Sequence, residues 1–393
     1  MTALAASAPG RVVVDKLGVL IGVIAVAAAL LPFAAFRANR IVLGEGRGVF
    51  AALPAWEAGL LVAALAVAIA VAVLRTPNRV RLVASLAMLA FLFVAIGNAA
   101  SYLTPAGDRL ARVSPGAGFW LAVFAFALLA ADSFTRLRLA PWLRILTLLL
   151  VAAAIALLLW SGAWNDLSIL REYANRADAF WREGQTHIAL ALGSLAAATV
   201  VGIPLGIVCH RVEGLRAVVL NTLNAVQTIP SIALFGLLIA PLAWVAANVP
   251  GAAALGVSGI GAAPAMVALF AYSLLPVVAN TVVGLAGVPP AATDAARGMG
   301  MTDRQRLLVV EFPLAFPVIL TGIRIVLVQN IGLATIAALI GGGGFGVFVF
   351  QGIGQTAMDL VLLGAVPTVA LAFAAAVILD AIVEMVSTRS PPA

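Results

Sequence analysis

Apolar runs as long as a bilayer is thick recur through almost the whole of this 393-residue chain, and they limit its fold more than any motif does. A hydrocarbon core of about 30 Å takes roughly 20 apolar residues of helix. With no water there to satisfy the backbone, an unbroken run of this kind is confined to helix. Read with that ruler, spans are expected near residues 17–36, 56–74, 82–102, 116–131, 142–161, 187–209, 217–243, 264–286, 318–340 and 360–383. The fourth is short and the seventh long. The fold class expected is all-α, a polytopic membrane protein of about ten transmembrane helices. Hydrophobic residues make up 64% of the chain and charged residues 10%. A soluble domain has about 25% charged residues, so most of this chain is not built to face water.

The net charge of +7 raises the question of nucleic acid, and its distribution answers it. Up to residue 165 there are 13 basic and 5 acidic residues; from 166 onward there are 10 and 11. The excess is scattered in twos and threes between apolar runs. That is how a membrane protein carries its topology signals, and no basic stripe of the nucleic-acid kind exists. With the N-terminus placed inside, inner loops collect 14 basic residues and outer loops 8, with Arg324 within a span. Both termini are therefore expected on the inner side. Arg11 and Lys16 precede the first run, as in a secretory leader. The run is too long for a leader's apolar region, however, and Phe36-Arg37 stands where small residues belong, so the first run is read as a retained helix.

Several kinds of chemistry are excluded by residue supply. One cysteine, Cys209, and two histidines, His187 and His210, leave no metal site and no nucleophile constellation. Lys16 is the only lysine, and no Gly-x-x-x-x-Gly-Lys-Ser/Thr loop surrounds it, so the chain is not expected to bind ATP through a P-loop. The longest polar stretch outside the spans divides the chain. It gives an N-terminal membrane module of about five helices (1–165), a polar linker helix (166–186) and a second group of about five helices (187–386). In the linker, Leu167, Leu170, Tyr173, Ala174, Ala177, Phe180 and Trp181 recur at helical steps. The pattern fits an amphipathic helix at the outer interface and equally a linker helix that touches no lipid.

The loop 287–317, between the eighth and ninth spans, carries the most information. Pro289 and Pro290 end the preceding helix, a short helix is expected from about 291 to 298, and Gly298 or Gly300 allows a sharp turn. Thr302 and Gln305 have the spacing of a capping box for a second helix, which Pro313 is expected to close. Asp294-Ala295-Ala296 is followed three residues later by Gly300, nine residues further by Val310, and then by Phe312-Pro313. At these residues the chain resembles the permease subunits of bacterial ATP-binding-cassette importers. Their hallmark reads Glu-Ala-Ala, three residues, Gly, nine residues, Ile, one residue, Leu-Pro. The spacing matches throughout, and the departures (Asp for Glu, Val for Ile, Phe for Leu) keep charge or apolarity.

The resemblance implies the type I importer permease fold for the C-terminal half, with this loop as a coupling helix. Asp294, Ala295, Ala296, Gly300, Val310 and Pro313 would form the surface and turn that dock in a separate cytoplasmic ATPase subunit. It further implies a second permease subunit, the same chain or a paralogue, an extracytoplasmic substrate-binding protein, and a multi-pass place in the bacterial inner membrane. ATP would be used by the partner, and no cofactor would be held here. Residues 180–386 are similar to one branch of these permeases, the osmoprotectant class that imports glycine betaine, choline or carnitine. The stretches that carry this are Gly184-Gln185-Thr186-His187, Gln227-Thr228-Ile229-Pro230-Ser231, Ala296 to Met301, Gly322-Ile323-Arg324 and Ile340 to Gly346. The N-terminal half carries no motif that points to chemistry.

The residues themselves suggest a path. Asn221, Asn224, Thr228 and Ser231 follow one another at steps of three, four and three, with Gln227 beside them and Pro230 breaking the ladder. Asn280, Gln329 and Asn330 offer polar groups in the next two spans. Polar groups at membrane depth face protein or water, so these residues either line the path or tie helices together. Arg324 reads as an anchor that snorkels to the inner surface, and the run Gly341–Gly344 as a turn or a gate. Two other solute classes stay open: a permease of the same kind for an amino acid or another small solute, and an ion-coupled transporter. The second needs acidic or His relays buried in several spans, and none stands mid-span.

Overall fold

Helices follow the apolar runs, and prolines set many of their ends. The computed structural model describes residues 14–39, 42, 44–105, 107, 108 and 110–387. Helix α1 (Lys16–Leu30) leads to strands β1 (Ala34–Arg37) and β2 (Glu45–Arg47) and the short α2 (Val49–Ala52). Next come α3 (Ala55–Val73), α4 (Asn78–Leu103), strand β3 (Arg112–Pro115), α5 (Ala117–Leu137) and α6 (Pro141–Trp160). The chain continues through α7 (Ser168–Asn175), α8 (Ala177–Arg211), α9 (Glu213–Thr228), α10 (Ser231–Leu237), α11 (Ile239–Asn248) and α12 (Ala262–Ala286). Last are α13 (Pro290–Gly298), α14 (Asp303–Arg306), α15 (Phe312–Leu333), α16 (Gly346–Gly354) and α17 (Met358–Ser387). Nine helical segments among the described residues are long and apolar enough to cross a membrane, and α1, at 15 residues, is shorter. The chain is a polytopic helical membrane protein. Four residues in the orientation count, Arg11, Arg40, Arg109 and Arg389, lie outside the described residues.

Some run boundaries differ from the sequence reading, each for a local reason. The first run does not stay helical to residue 36. Helix α1 stops at Leu30, Leu31 is extended ahead of Pro32, and Ala34–Arg37 becomes a strand. That strand is the centre of a small antiparallel sheet ordered β2-β1-β3, a departure from an all-α fold. The sixth run starts at Ala177, ten residues before His187 opens the expected span, because the polar stretch 177–186 is continuous with the apolar helix behind it. The seventh run is broken: α9 ends at Thr228, Ile229 is extended before Pro230, and α10 restarts at Ser231. Pro313 does not close a helix. It stands in the first turn of α15, after a π-helical turn at Leu307–Glu311 that joins α14 to α15 in one rod. The Phe312 N–H reaches back five residues to the Leu307 carbonyl. The ladder has therefore already slipped where it meets a residue with no N–H to place.

The helices pack into two units, residues 1–140 with 150–171, and 141–149 with 172–393. In the first, Ile21, Ala25, Leu92, Ile96, Phe119, Phe126 and Leu129 fill a core among α1, α4 and α5. Trp164 donates its indole N–H to the Phe93 carbonyl at 2.9 Å. Asp15 caps α1, accepting from the Gly18 N–H at 2.8 Å, and pairs with the buried Arg81 at 3.0 Å. The hydrogen bond from Arg81, then that from Gly18, holds the Asp15 carboxyl down at about 2. Asp108 is likewise lowered by accepting the backbone N–H groups of Leu110 and Ala111.

In the second unit Ser194, Ala198, Gly202 and Gly206 form a row of small, buried residues at four-residue steps along α8. A methyl at Gly202 would stand 2.8 Å from the Val277 side chain, and one at Gly206 2.6 Å from the Thr281 Cβ. Helices α8 and α12 thus touch nearly backbone to backbone, as membrane helices do where dispersion replaces a hydrophobic drive. Arg324 pairs with Asp380 at 2.6 Å, and Arg144 pairs with Asp380 at 3.0 Å and Glu384 at 2.9 Å. This network joins α15 and α17 to the first turns of α6. Pro141–Leu149 accordingly packs with the second unit, although a cut at residue 165 would assign it to the first.

Candidate functional site

Between α12 and α15 the backbone makes a compact turn whose geometry follows from five residue types. Pro289 and Pro290 sit at the N-cap and first position of α13, where a missing N–H costs nothing. The helix ends in a Schellman motif: the Gly300 N–H donates to the Arg297 carbonyl at 2.9 Å and the Met301 N–H to the Ala296 carbonyl at 3.1 Å. Gly300 holds φ +78°, and nothing lies within 4 Å of where its Cβ would be. Glycine is required there by backbone conformation, not by space. Thr302 then caps α14 in a full capping box: its hydroxyl accepts from the Gln305 N–H at 3.3 Å, and its own N–H donates to the Gln305 side chain at 2.9 Å. The two alanines point different ways. Ala296 is buried, whereas Asp294, Ala295, Gly298 and Met299 are exposed and form the outer face, with Asp294 and Arg297 paired at 3.2 Å.

An ion cluster anchors this loop to the helices. Arg306 donates through Nε to Glu311 at 2.7 Å and pairs with Asp303 at 2.9 Å. Arg211, the last residue of α8, donates to the other Glu311 oxygen at 3.1 Å. Two guanidinium groups thus share one buried carboxylate, and Asp303 balances the set. Val310, half-buried, and Pro313, exposed, stand on either side of Glu311 and Phe312 at the root of the rod. Motif spacing identifies the loop, but it gives no role to Glu311, which falls on an unspecified position. The signal that finds it is physical: a carboxylate at a membrane boundary needs a partner, and Arg306 lies five residues away.

The polar residues expected along a path separate into two groups. Asn221, Asn224 and Thr228 are exposed on α9, a helix with no buried residue, and Ser231 is half-exposed just past the break. Gln227 faces the other way, its amide donating to the Tyr272 carbonyl at 2.8 Å. The Tyr272 hydroxyl donates to the Ile229 carbonyl, so the backbone at the Pro230 break is held by α12. Asn330 is fully buried. Its amide donates to the Ser194 and Ser273 hydroxyls at 2.8 and 2.9 Å, tying α8, α12 and α15 together, so it faces no open surface. Asn280 donates within α12 to the Pro276 carbonyl at 2.8 Å, and Gln329 is half-buried.

At the opposite end of α8 a second cluster holds the glycine run. Gly341, Gly343 and Gly344 all have positive φ, and the Gly344 N–H donates to the Glu183 carboxylate at 2.9 Å. Phe180 packs on Phe345 and Phe348 with ring centroids 5.2 and 6.2 Å apart. His187 is wholly buried against Phe345, where the sequence reading put it at the interface. The start of α8 thus turns Phe180 to protein and leaves Trp181 exposed. Nine-residue α16 is about 14 Å long at 1.5 Å per residue, too short to cross a bilayer.

Two separate family models match the chain. Residues 15–170 match the family model of the ABC transporter permease YehY, N-terminal domain. Residues 200–390 match that of the binding-protein-dependent transport system inner membrane component. The chain is 44% identical over 178 residues to the osmoprotectant import permease protein OsmW of Salmonella typhimurium, covering 45% of this chain and 76% of that protein. It is 36% identical over 246 residues to the osmoprotectant import permease protein OsmY of the same organism, covering 62% and 93%. Over 218 residues it is 33% identical to the glycine betaine/carnitine/choline transport system permease protein OpuCB of Bacillus subtilis, covering 56% and 91%.

Proposed function

This chain belongs to the permease subunits of ATP-binding-cassette importers, in the osmoprotectant class and with an added N-terminal domain, and on that premise we propose that it forms the membrane path for glycine betaine or a related quaternary-ammonium solute. The relatives named for glycine betaine, carnitine and choline support that substrate class. The turn at Gly300 carries the mechanism. It presents the exposed face of α13, through Asp294, Ala295 and Met299, to a separate cytoplasmic ATPase subunit. Closure of the ATPase pair pulls on α13. The rod α14–α15 and the Glu311 cluster pass that pull to α15 and to the end of α8 together.

The path runs along α9, where Asn221, Asn224 and Thr228 are exposed and Ser231, at the start of the next helix, is half-exposed. Such a stripe is costly against lipid, so a second permease subunit, the same chain or a paralogue, covers it and completes the aqueous channel. Gln227 and Asn330 hold the helices that frame the path. An extracytoplasmic binding protein delivers the solute, both termini lie in the cytoplasm, ATP is hydrolysed on the partner, and no cofactor is held by this chain.

The test is uptake. The chain is expressed with its ATPase and binding protein in a bacterial strain lacking osmoprotectant import, and accumulation of labelled glycine betaine, choline and carnitine is measured at high salt. Accumulation that requires all the subunits supports the reading. Accumulation of a labelled amino acid instead of these solutes assigns the alternative substrate class, and uptake without the ATPase overturns the coupling.

A further inference from the structure

Four helix ends of the N-terminal unit meet at one level: the start of α1, the end of α3, the start of α4 and the end of α5. Between them opens a cleft of about 300 Å³ lined by Asp15, Arg75, Thr76, Asn78, Arg81 and Arg136, with no apolar residue in its wall. Three guanidinium groups share it with one carboxylate. Asp15 takes Arg81 at 3.0 Å and Arg136 at 3.6 Å. Arg136 also pairs with Asp132 at 2.8 Å. Counting sequence neighbours, Lys16, Arg75, Arg79, Arg81, Arg136 and Arg138 stand against Asp15 and Asp132. The local balance is strongly positive, and because Asp15 stays ionised well below neutral pH, proton uptake does not change it near neutrality.

One cation in the cleft is unanswered. The Arg81 side chain is 2% exposed and donates to Asp15 and, at 3.3 Å, to the Ala72 carbonyl, so it fixes the wall of the cleft and its charge. Arg75 is exposed and makes no hydrogen bond or ion pair among the described residues. The forked guanidinium geometry suits the oxygens of a phosphate group. The depth of the cleft selects the source. It lies where the apolar runs of α1, α3, α4 and α5 all stop, the level of lipid headgroups, and basic pockets between membrane helices at that level take anionic headgroups.

We propose that this cleft binds a phosphate-type oxyanion supplied by the headgroup of an anionic phospholipid, held between Arg75, Arg81 and Arg136. The site belongs to the N-terminal unit alone, so it stands whatever solute the permease carries. It gives that unit a specific lipid contact in place of a merely greasy one.

The experiment uses the full chain, purified in detergent and offered mixed micelles of phosphatidylglycerol or phosphatidylcholine, with retained lipid counted by mass spectrometry. The native chain is expected to retain phosphatidylglycerol preferentially. Arg75→Gln and Arg136→Gln should each lower retention about fivefold, the usual worth of one arginine at an anionic surface. Arg79→Gln, which removes the same charge outside the cleft wall, should retain lipid as the native chain does. Arg75 is exposed and unpaired, so its variant is expected to fold, and an unchanged melting temperature checks this. Equal retention by the Arg75 and native chains overturns the proposal, as does an equal fall in the Arg79 variant. In a separate arm, inorganic phosphate is added to lipid-depleted protein. Stabilisation by phosphate alone, with no preference for phosphatidylglycerol, overturns the lipid source.

Discussion

Gly300 does its work through one dihedral angle. At φ +78° an L side chain is strained by about 1–2 kcal/mol, with Asn tolerated best. Since nothing fills the space beside it, side-chain size is a secondary matter. Uptake should therefore fall in the order Gly, Asn, Ala, Val at this position while membrane levels stay constant, measured as initial rates. A ranking by volume, with Asn worse than Ala, would contradict the Schellman account. Glu311 answers to charge instead. Replacing it with Gln leaves Arg306 and Arg211 sharing a neutral amide, a loss of about 1–3 kcal/mol where the charge of one buried partner is removed. The expected readout is weaker coupling: ATP hydrolysis in the assembled transporter persists while uptake per ATP drops. Asp15 gives a pH signature. Its folded carboxyl titrates at about 2 against an ordinary 3.8. Its contribution to stability is therefore complete above about pH 4 and is lost as pH falls from there towards 2. Melting of the native chain should drop across that window, and Asp15→Asn should melt lower at neutral pH and converge with it at the acid end.

Helix by helix, what could be read from sequence was what bilayer thickness dictates. Runs of about twenty apolar residues became spans because lipid allows them no other backbone. The α13 turn was equally legible, since prolines, glycine and a capping box each act within four residues. Longer-range effects were not. Ala34-Ala35-Phe36 extend an apolar run, yet they join a sheet, because Pro32 ends α1 and two strands supply the partners, β2 about ten residues on and β3 nearly eighty. Pro313 looked like a stop, but the π turn ahead of it makes it a start. Asn330 looked like a path residue because polarity in a span says only that a partner exists. Ser194 and Ser273, on other helices, decide that the partner is protein. The small-residue row on α8 makes a prediction of its own. Gly206→Leu would put side chain where Thr281 and the Val278 carbonyl already stand, so α8 and α12 must part. Overpacking of this kind costs about 1–3 kcal/mol. A lowered melting temperature in detergent, rescued in part by Thr281→Gly, is the expected result; an unchanged one would mean that the helices do not meet there.

At the scale of the whole molecule, the question is where a permease core can be cut from its N-terminal extension. The family models leave residues 171–199 unassigned between them, and composition points to a cut near 165. Packing points elsewhere. Residues 141–149 belong with the second unit, where Arg144 pairs with both Asp380 and Glu384, and Arg324 pairs with Asp380. A chain starting at residue 166 loses Arg144 and with it the pairs to Asp380 and Glu384. A chain starting at residue 141 keeps the network intact. Both truncations retain α13, Gly300 and the Glu311 cluster, so both contain the whole docking element. The difference between them therefore isolates the support under α17. The longer fragment is expected to copurify the ATPase as the full chain does. The shorter should do so with a melting temperature lowered by several degrees, and Arg144→Gln in the longer fragment should reproduce that loss. If the two fragments melt alike, Arg144 adds nothing to the core, and the boundary read from composition is the better one.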